Sequence, residues 1–158
     1  MVLLNILPKG NKWLVTDSKE RVIYTIKKNV SGGKFTLIDA SGYKLYYVTF
    51  NKKEKKPVFK FFLNDNNIFD LKCTSIFLEP SFEGKGNMGE FKITSADRRD
   101  FNLFDVTRNR DMGEILVCEA VKGNLPYEIR MDEKYFDDFV PLFAVCIDQV
   151  YGELNKAQ

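Results

Sequence analysis

The sequence predicts a mainly β protein (α+β class): a closed antiparallel barrel of about twelve strands around a central hydrophobic C-terminal helix. Three observations carry this. First, residues 12–131 form a series of short runs rich in Val, Ile, Phe and Tyr, separated by turn residues at near-regular intervals. Second, Asp132–Tyr151 reads DEKYFDDFVPLFAVCIDQVY, and its middle, Phe139 to Ile147, has no polar residue. A helix apolar on every side must be enclosed by protein, and this one is shorter than the about 20 apolar residues that cross a bilayer. Third, the two parts fit each other. Strands about 4.8 Å apart and tilted about 40° make a twelve-strand ring of radius about 12 Å. A helix with its side chains is about 10–12 Å across and fills that lumen, whereas a barrel of about 8 strands is filled by its own side chains.

The predicted strands are Lys12–Thr16, Arg21–Lys27, Lys34–Asp39, Tyr43–Phe50, Pro57–Leu63, Ile68–Lys72, Thr74–Glu79, Gly89–Ser95, Phe101–Thr107, Met112–Ala120 and Leu125–Met131. The turns Ser31-Gly32-Gly33, Ser41-Gly42, Asn64-Asp65-Asn66-Asn67 and Gly123-Asn124 are built of residues that tolerate positive φ. Alternation sorts inside from outside: Leu125, Tyr127, Ile129 and Met131 share one face, and Phe91 and Ile93 oppose Glu90, Lys92 and Thr94. Tyr43–Phe50 and Pro57–Leu63 are apolar on both faces, so part of the outer wall is expected to be covered as well. Asp132 is the expected N-cap of a short turn over Glu133–Asp137. Pro141 is tolerated if Asp138 caps a second start and the main helix begins at Phe139. Gly152 is the expected stop.

An internal echo supports a meander. Asp17-Ser18-Lys19-Glu20-Arg21-Val22-Ile23-Tyr24-Thr25-Ile26 aligns without a gap on Asp39-Ala40-Ser41-Gly42-Tyr43-Lys44-Leu45-Tyr46-Tyr47-Val48. In both, an Asp opens a tight turn and a strand of aliphatic, Tyr, any residue, aliphatic follows.

The chain has 158 residues, matching a single domain over 1–158, with 44% hydrophobic and 29% charged residues, as in an ordinary soluble protein. A net charge of +2 is too near neutral for a dedicated nucleic-acid binder. The N-terminal MVLLNILPKG lacks the basic start, long apolar core and cleavage site of a secretory leader. No transmembrane segment is expected, and a cytoplasmic location, peripheral to a membrane if lipid is bound, is the expectation. Cys73, Cys118 and Cys146 are far apart, each in an apolar run, and read as buried thiols. With no histidine and no closely spaced cysteine pair, no metal site is predicted. No cofactor is predicted either.

The hairpins V-T-D-S-K-E-R-V-I-Y-T-I and L-I-D-A-S-G-Y-K-L-Y-Y-V, with the terminal helix F-V-P-L-F-A-V-C-I-D-Q-V-Y, resemble the tubby-like barrels. Within that group the chain is most similar to the LURP-one-related proteins, over about Lys12 to Gly152. Phospholipid scramblases share the architecture. The resemblance implies a closed barrel of about twelve strands threaded by the C-terminal helix, with a binding or scaffold role. Tubby domains bind phosphorylated inositol lipids; the LURP-one-related group has no settled molecular activity. The basic pair that tubby uses for lipid has no motif match here, so no site is carried over.

Several motifs tempt a catalytic reading. Gly84-Lys85-Gly86-Asn87-Met88-Gly89 matches G-x-G-x-x-G, but it leads into the alternating strand Glu90-Phe91-Lys92-Ile93-Thr94 rather than a helix. It reads as a flexible hairpin loop. Asp97, Asp100, Asp105 and Asp111 lack calcium-loop spacing. Asp137 and Asp138 are adjacent, so on a helix they do not face each other, and they read as helix-start charge. Asn29-Val30-Ser31 is a glycosylation sequon only in a secreted protein. Trp13 and the fourteen phenylalanines are expected to fill the barrel.

The densest positive run is Asn51-Lys52-Lys53-Glu54-Lys55-Lys56, with Lys60 beyond it; Arg98-Arg99 and Arg108-Asn109-Arg110 are two further clusters in turns. Lys52, Lys53, Lys55, Lys56 and Lys60 are the candidate ligand-binding residues, for anionic phosphate-bearing groups or phospholipid headgroups. The plain alternative is that lysines in a long hairpin keep it soluble and protect strand edges. The expectation is thus a non-enzymatic binding module. The alternative function is a protein-interaction scaffold using an apolar outer face of the barrel. Because the helix takes the lumen, no internal ligand cavity is expected.

Overall fold

A computed structural model describes residues 1–157; Gln158, the last residue of the expected domain, lies outside them. Twelve strands pair in strict chain order and close: β1 (Val2–Lys9), β2 (Lys12–Thr16), β3 (Val22–Lys28), β4 (Lys34–Asp39), β5 (Lys44–Thr49), β6 (Val58–Leu63), β7 (Asn66–Ser75), β8 (Ser81–Gly86), β9 (Gly89–Ser95), β10 (Asp100–Asp105), β11 (Arg110–Val117) and β12 (Tyr127–Met131). The ring shuts where β1 pairs with β12, Leu4 opposite Ile129. Full closure leaves no free sheet edge.

The helix α1 (Val140–Lys156) follows a single 3-10 turn, Glu133–Tyr135, and threads the ring. Phe139 to Ile147 are all buried. The ring of Phe143 meets Phe61, Phe69, Phe91 and Phe139 at centroid distances of 5.7, 6.1, 6.3 and 5.4 Å. The predicted lumen is therefore occupied by packed aromatic and aliphatic side chains. Polar bonds fix the helix along its length. The Tyr24 hydroxyl donates to Asp138 at the entry, the Tyr127 hydroxyl donates to Asp148 Oδ1 at 2.7 Å, and Asn155 Nδ2 donates to the Arg98 carbonyl at 2.9 Å near the exit.

Several boundaries differ from the sequence expectation. The apolar N-terminus is strand β1, with Leu4 and Ile6 buried in the core. Ile68–Lys72 and the start of Thr74–Glu79 form one strand, β7, with an irregularity between Cys73 and Ser75. Strand β8 lies where a loop was expected. Asp132 does cap the short turn, accepting from Lys134 N at 3.0 Å. Asp138 caps nothing: Phe139 holds the N-cap position without a side-chain bond, because the Asp138 carboxylate is engaged by Tyr24. Gly152 does not stop the helix, which runs on to Lys156. A Cβ on Gly152 would lie 2.9 Å from Asp148 Oδ1, so glycine here makes room for a half-buried carboxylate. The phenylalanines mostly fill the barrel, but Phe77 is exposed on a turn.

The G-x-G-x-x-G run is a two-strand hairpin, and each glycine has a steric reason. Gly84 points inward, and a Cβ there would lie 2.2 Å from Phe69 Cζ. At Gly86 a Cβ would lie 2.2 Å from the Ile68 carbonyl oxygen. Gly89 has φ of 110°, which only glycine adopts freely. The internal echo is an identity of structure. Asp17 Oδ1 accepts from the backbone of Lys19 and Arg21, and Asp39 Oδ1 accepts from Ser41 and Tyr43 in the same way.

Candidate functional site

An up-and-down ring sends alternate turns to opposite ends. The rim where α1 enters carries the β2–β3, β4–β5, β6–β7, β8–β9 and β10–β11 turns; the rim where it leaves carries the other six, β1–β2 through β11–β12. Charge divides along the same line. The entry rim holds Asp17, Glu20, Asp39, Asp65, Asp105 and Asp111, then Asp132, Glu133, Asp137 and Asp138 before the helix. Lys19 and Lys134 are there too, but its arginines are spoken for. Arg21 Nε lies 2.7 Å from Asp17. Arg108 and Arg110 lie 3.1 and 3.8 Å from the buried Asp105, and Arg110 also sits 3.8 Å over the Tyr135 ring.

The exit rim is basic. The β5–β6 loop brings Lys52, Lys53, Lys55 and Lys56, all exposed. The β1–β2 turn is flanked by Lys9 and Lys12, the β3–β4 turn by Lys28 and Lys34. Arg98 and Arg99 come from β9–β10, Lys122 from β11–β12, and Lys156 from the end of α1. The acids there are Glu54, Glu79, Asp97, Glu119, Asp148 and Glu153. Asp97 is turned inward to its own turn, accepting from Arg99 N at 2.9 Å and Asp100 N at 3.0 Å; those bonds hold its carboxyl below the usual range. Glu153 pairs with Lys156 at 3.2 Å.

The lysines converge across turns. Lys52 Nζ donates to the Ser31 carbonyl. A Cβ on Gly32 would lie 3.3 Å from Lys28 Cε and 3.7 Å from Lys52 Nζ, so side chains from β3 and the β5–β6 loop meet over that glycine. A cleft of about 290 Å³ opens at the same rim, lined by Lys12, Lys28, Lys156, Asn11 and Asn124, with Asp148 among its walls. Burial raises the Asp148 carboxyl above its ordinary value, against the opposing effects of the Tyr127 hydrogen bond and the Lys156 and Lys28 charges.

Of the sequence-predicted residues, Lys52, Lys53, Lys55 and Lys56 share one rim with Arg98 and Arg99. Lys60 projects from the outer wall two residues into β6, opposite Asp70 of β7. Arg108 and Arg110 are at the far end and do not join them. Sequence reasoning missed Lys9, Lys12, Lys28, Lys34, Lys122 and Lys156, because none of them belongs to a dense basic run: two pairs flank separate turns, one lies alone in a turn and one ends the helix. Taking every second turn of a meander would have collected them.

Elsewhere the chemistry is quiet. Burial pushes up the thiols of Cys73, Cys118 and Cys146, which disfavours the thiolate a nucleophile needs. Among the described residues, no group of three or more His, Cys, Asp or Glu side chains is placed to hold a metal ion. A groove of about 880 Å³ lies on the outer wall beside Leu3, Glu114, Glu128, Arg130 and Tyr135. Its Arg130 is held by Glu128 at 2.8 Å and Glu114 at 3.8 Å. The doubly apolar strands cover part of their own outer face: Tyr47 and Phe62 stack at 4.8 Å, and Lys34 Nζ lies 4.3 Å over Tyr47. No helix among the described residues is long and apolar enough to cross a membrane.

The closed twelve-strand ring with its hydrophobic C-terminal helix in the lumen is the tubby-like barrel architecture. The chain matches the LURP-one-related family over residues 6–148 and belongs to it. A protein from Arabidopsis thaliana, solved by X-ray crystallography, is similar in fold, with a TM-score of 0.61 and 14% identity over 98% of this chain and 91% of that one. At that identity the likeness speaks for the fold alone. No curated protein matches the chain.

Proposed function

We propose that this chain is a non-enzymatic, cytoplasmic binding module whose exit rim docks on an anionic, phosphate-bearing surface, with phospholipid headgroups as the ligand. One observation supports this above the rest: alternate turns gather Lys52, Lys53, Lys55 and Lys56 with lysines and arginines of four other turns, while acids gather at the opposite rim. Such a charge dipole orients the barrel over a negative surface before contact. Each lysine near an anionic bilayer contributes about 1 kcal/mol, so several weak contacts add to useful affinity. Lys60, on the wall just below the loop, joins only if the barrel tilts. With the lumen filled by α1, binding falls to the rim and none to the interior.

Cosedimentation with vesicles of phosphatidylcholine, with and without phosphatidylserine, tests it. Binding is expected only with phosphatidylserine, and it should weaken as salt rises from about 0.1 to about 1 M, where the screening length falls from about 10 to about 3 Å. Changing Lys52, Lys53, Lys55 and Lys56 together to Ala should weaken binding at least about tenfold. Binding that ignores anionic lipid, or that survives the fourfold change intact, refutes the proposal.

A further inference from the structure

The basic rim also carries apolar side chains that no packing requirement explains. Phe77 and Leu78, in the β7–β8 turn, are 74% and 85% exposed. Val30 in the β3–β4 turn and Val121 in the β11–β12 turn, also exposed, lie on the same rim. Phe77 stands between two clefts. One, about 400 Å³, runs between Lys55, Lys56 and the Ile76–Leu78 tip. The other, about 340 Å³, is lined by Phe50, Lys52, Lys53, Val150 and Leu154.

The tip is held out rather than folded back. At its base the Tyr151 hydroxyl of α1 donates to the Ser75 carbonyl, and the Ser75 hydroxyl donates to the Leu78 carbonyl. Thr74 Oγ1 and Ser81 Oγ hydrogen-bond at 2.5 Å across the strand ends, and Pro80 is buried behind the turn. Glu79 takes a φ of 49°, which turns the chain sharply back after Leu78. The turn is thus anchored to the central helix, and presenting Phe77 and Leu78 costs little further ordering.

We infer that Phe77 and Leu78 form a membrane-inserting tip: on an anionic bilayer they enter the boundary between headgroups and acyl chains while Lys55, Lys56 and Lys52 contact the phosphates around them. The inference rests on the proposed docking of the basic rim and adds its depth and orientation. Charge decides the occupant. A protein partner for this tip would have to be apolar at the centre and acidic around it, and an anionic bilayer presents that arrangement wherever it is approached. Lysine stems lying along the apolar surface with their ammonium groups at the phosphates suit the same boundary, as does an apolar face sunk about 5–10 Å.

The test uses the full chain and vesicles of phosphatidylcholine with phosphatidylserine. Phe77→Trp places a fluorophore at the tip, and the buried Trp13 supplies a constant background measured in the parent protein. The Phe77→Trp emission should shift to the blue on binding and be quenched by lipids brominated on the acyl chain. Phe77→Ser with Leu78→Ser should weaken binding at least about tenfold and leave the thermal midpoint unchanged, since both side chains are in water in the free protein. If the parent binds in a salt-sensitive way but the tryptophan is not quenched and the double serine variant binds as well as the parent, insertion is refuted and rim docking stands. If the parent self-associates in sedimentation velocity and the double variant does not, while vesicle binding is kept, the tip is a protein contact and the inference falls. If the parent does not bind these vesicles at low salt, the docking proposal itself has failed.

Discussion

Gly84→Ala adds a single methyl group at a place where the fold leaves no room for one. Gly84 lies on β8 with no left-handed backbone requirement, so the substitution carries no conformational strain, and its effect is purely one of space. The new Cβ would lie 2.2, 2.9 and 3.1 Å from Phe69 Cζ, Cε1 and Cε2. The Phe69 ring is 1% exposed and is itself packed on Phe61 at 5.4 Å and Phe143 at 6.1 Å, so it has nowhere to swing. Overpacking a full core costs about 1–3 kcal/mol. For a chain of this size each kcal/mol moves the melting midpoint about 2–4 °C, so the drop should be about 2–12 °C. Calorimetry or circular dichroism melting reads it. Phe69→Leu in the same background should recover part of the loss, since the two residues touch and their effects do not add. Gly42→Ala is the matched control: at φ of 92° nothing lies within 4 Å of the new Cβ, so its cost is backbone strain, and a Phe69 change cannot relieve it. A Gly84→Ala protein that melts with the parent, or one that Phe69→Leu destabilises additively, would refute the steric account.

Two further outcomes follow from the helix. Phe143→Ala removes the ring at the centre of the aromatic cluster and should cost about 3–5 kcal/mol by denaturant unfolding; a loss under about 1 kcal/mol would mean that α1 does not pack the lumen as a core. For Asp148, burial raises the folded-state pKa, so its contribution to stability is full below the ordinary value of 3.8 and is lost as pH rises through the folded value. Asp148→Asn keeps an acceptor for Tyr127 and removes the charge, so its melting midpoint relative to the parent should rise between about pH 3 and 7. A difference that stays flat or falls over that range contradicts the burial argument.

Much of the architecture was legible because its signals are local or geometric. An all-apolar run at Phe139–Ile147 demands enclosure, and the gapless echo of Asp17–Ile26 on Asp39–Val48 fixes one hairpin type twice. The parts that were not legible depend on partners far away in the chain. Strand β1 has adjacent apolar pairs, Leu3-Leu4 and Ile6-Leu7, and Pro8, and its role becomes visible only when β12 is beside it. Strand β8 hides behind Gly84 and Gly86, which look like loop residues because the volume they spare is claimed by Phe69 and Ile68. Asp138 reads as a cap until Tyr24, 114 residues earlier, takes its carboxylate.

The basic rim presents a different case. Dividing β7 in two and overlooking β8 are errors of opposite sign in the strand count. The alternation of turns therefore survives them and would have put 51–56, 98–99 and 121–124 at one end and 108–110 at the other. What hid the rim was averaging. A net charge of +2 is the near-cancellation of a positive end and a negative one, and a scan along the chain meets the two in alternation and sees neither. The apolar tip was hidden by the opposite confusion, since Ile76-Phe77-Leu78 has the composition of a strand. Only the turn after Ser75 shows that Phe77 and Leu78 are in water while Ile76 packs on the core. In a meander, then, the unit of surface function is the set of every second turn. Charge and exposed apolar residues become informative when they are summed over that set, because the ring closes it into one contiguous face.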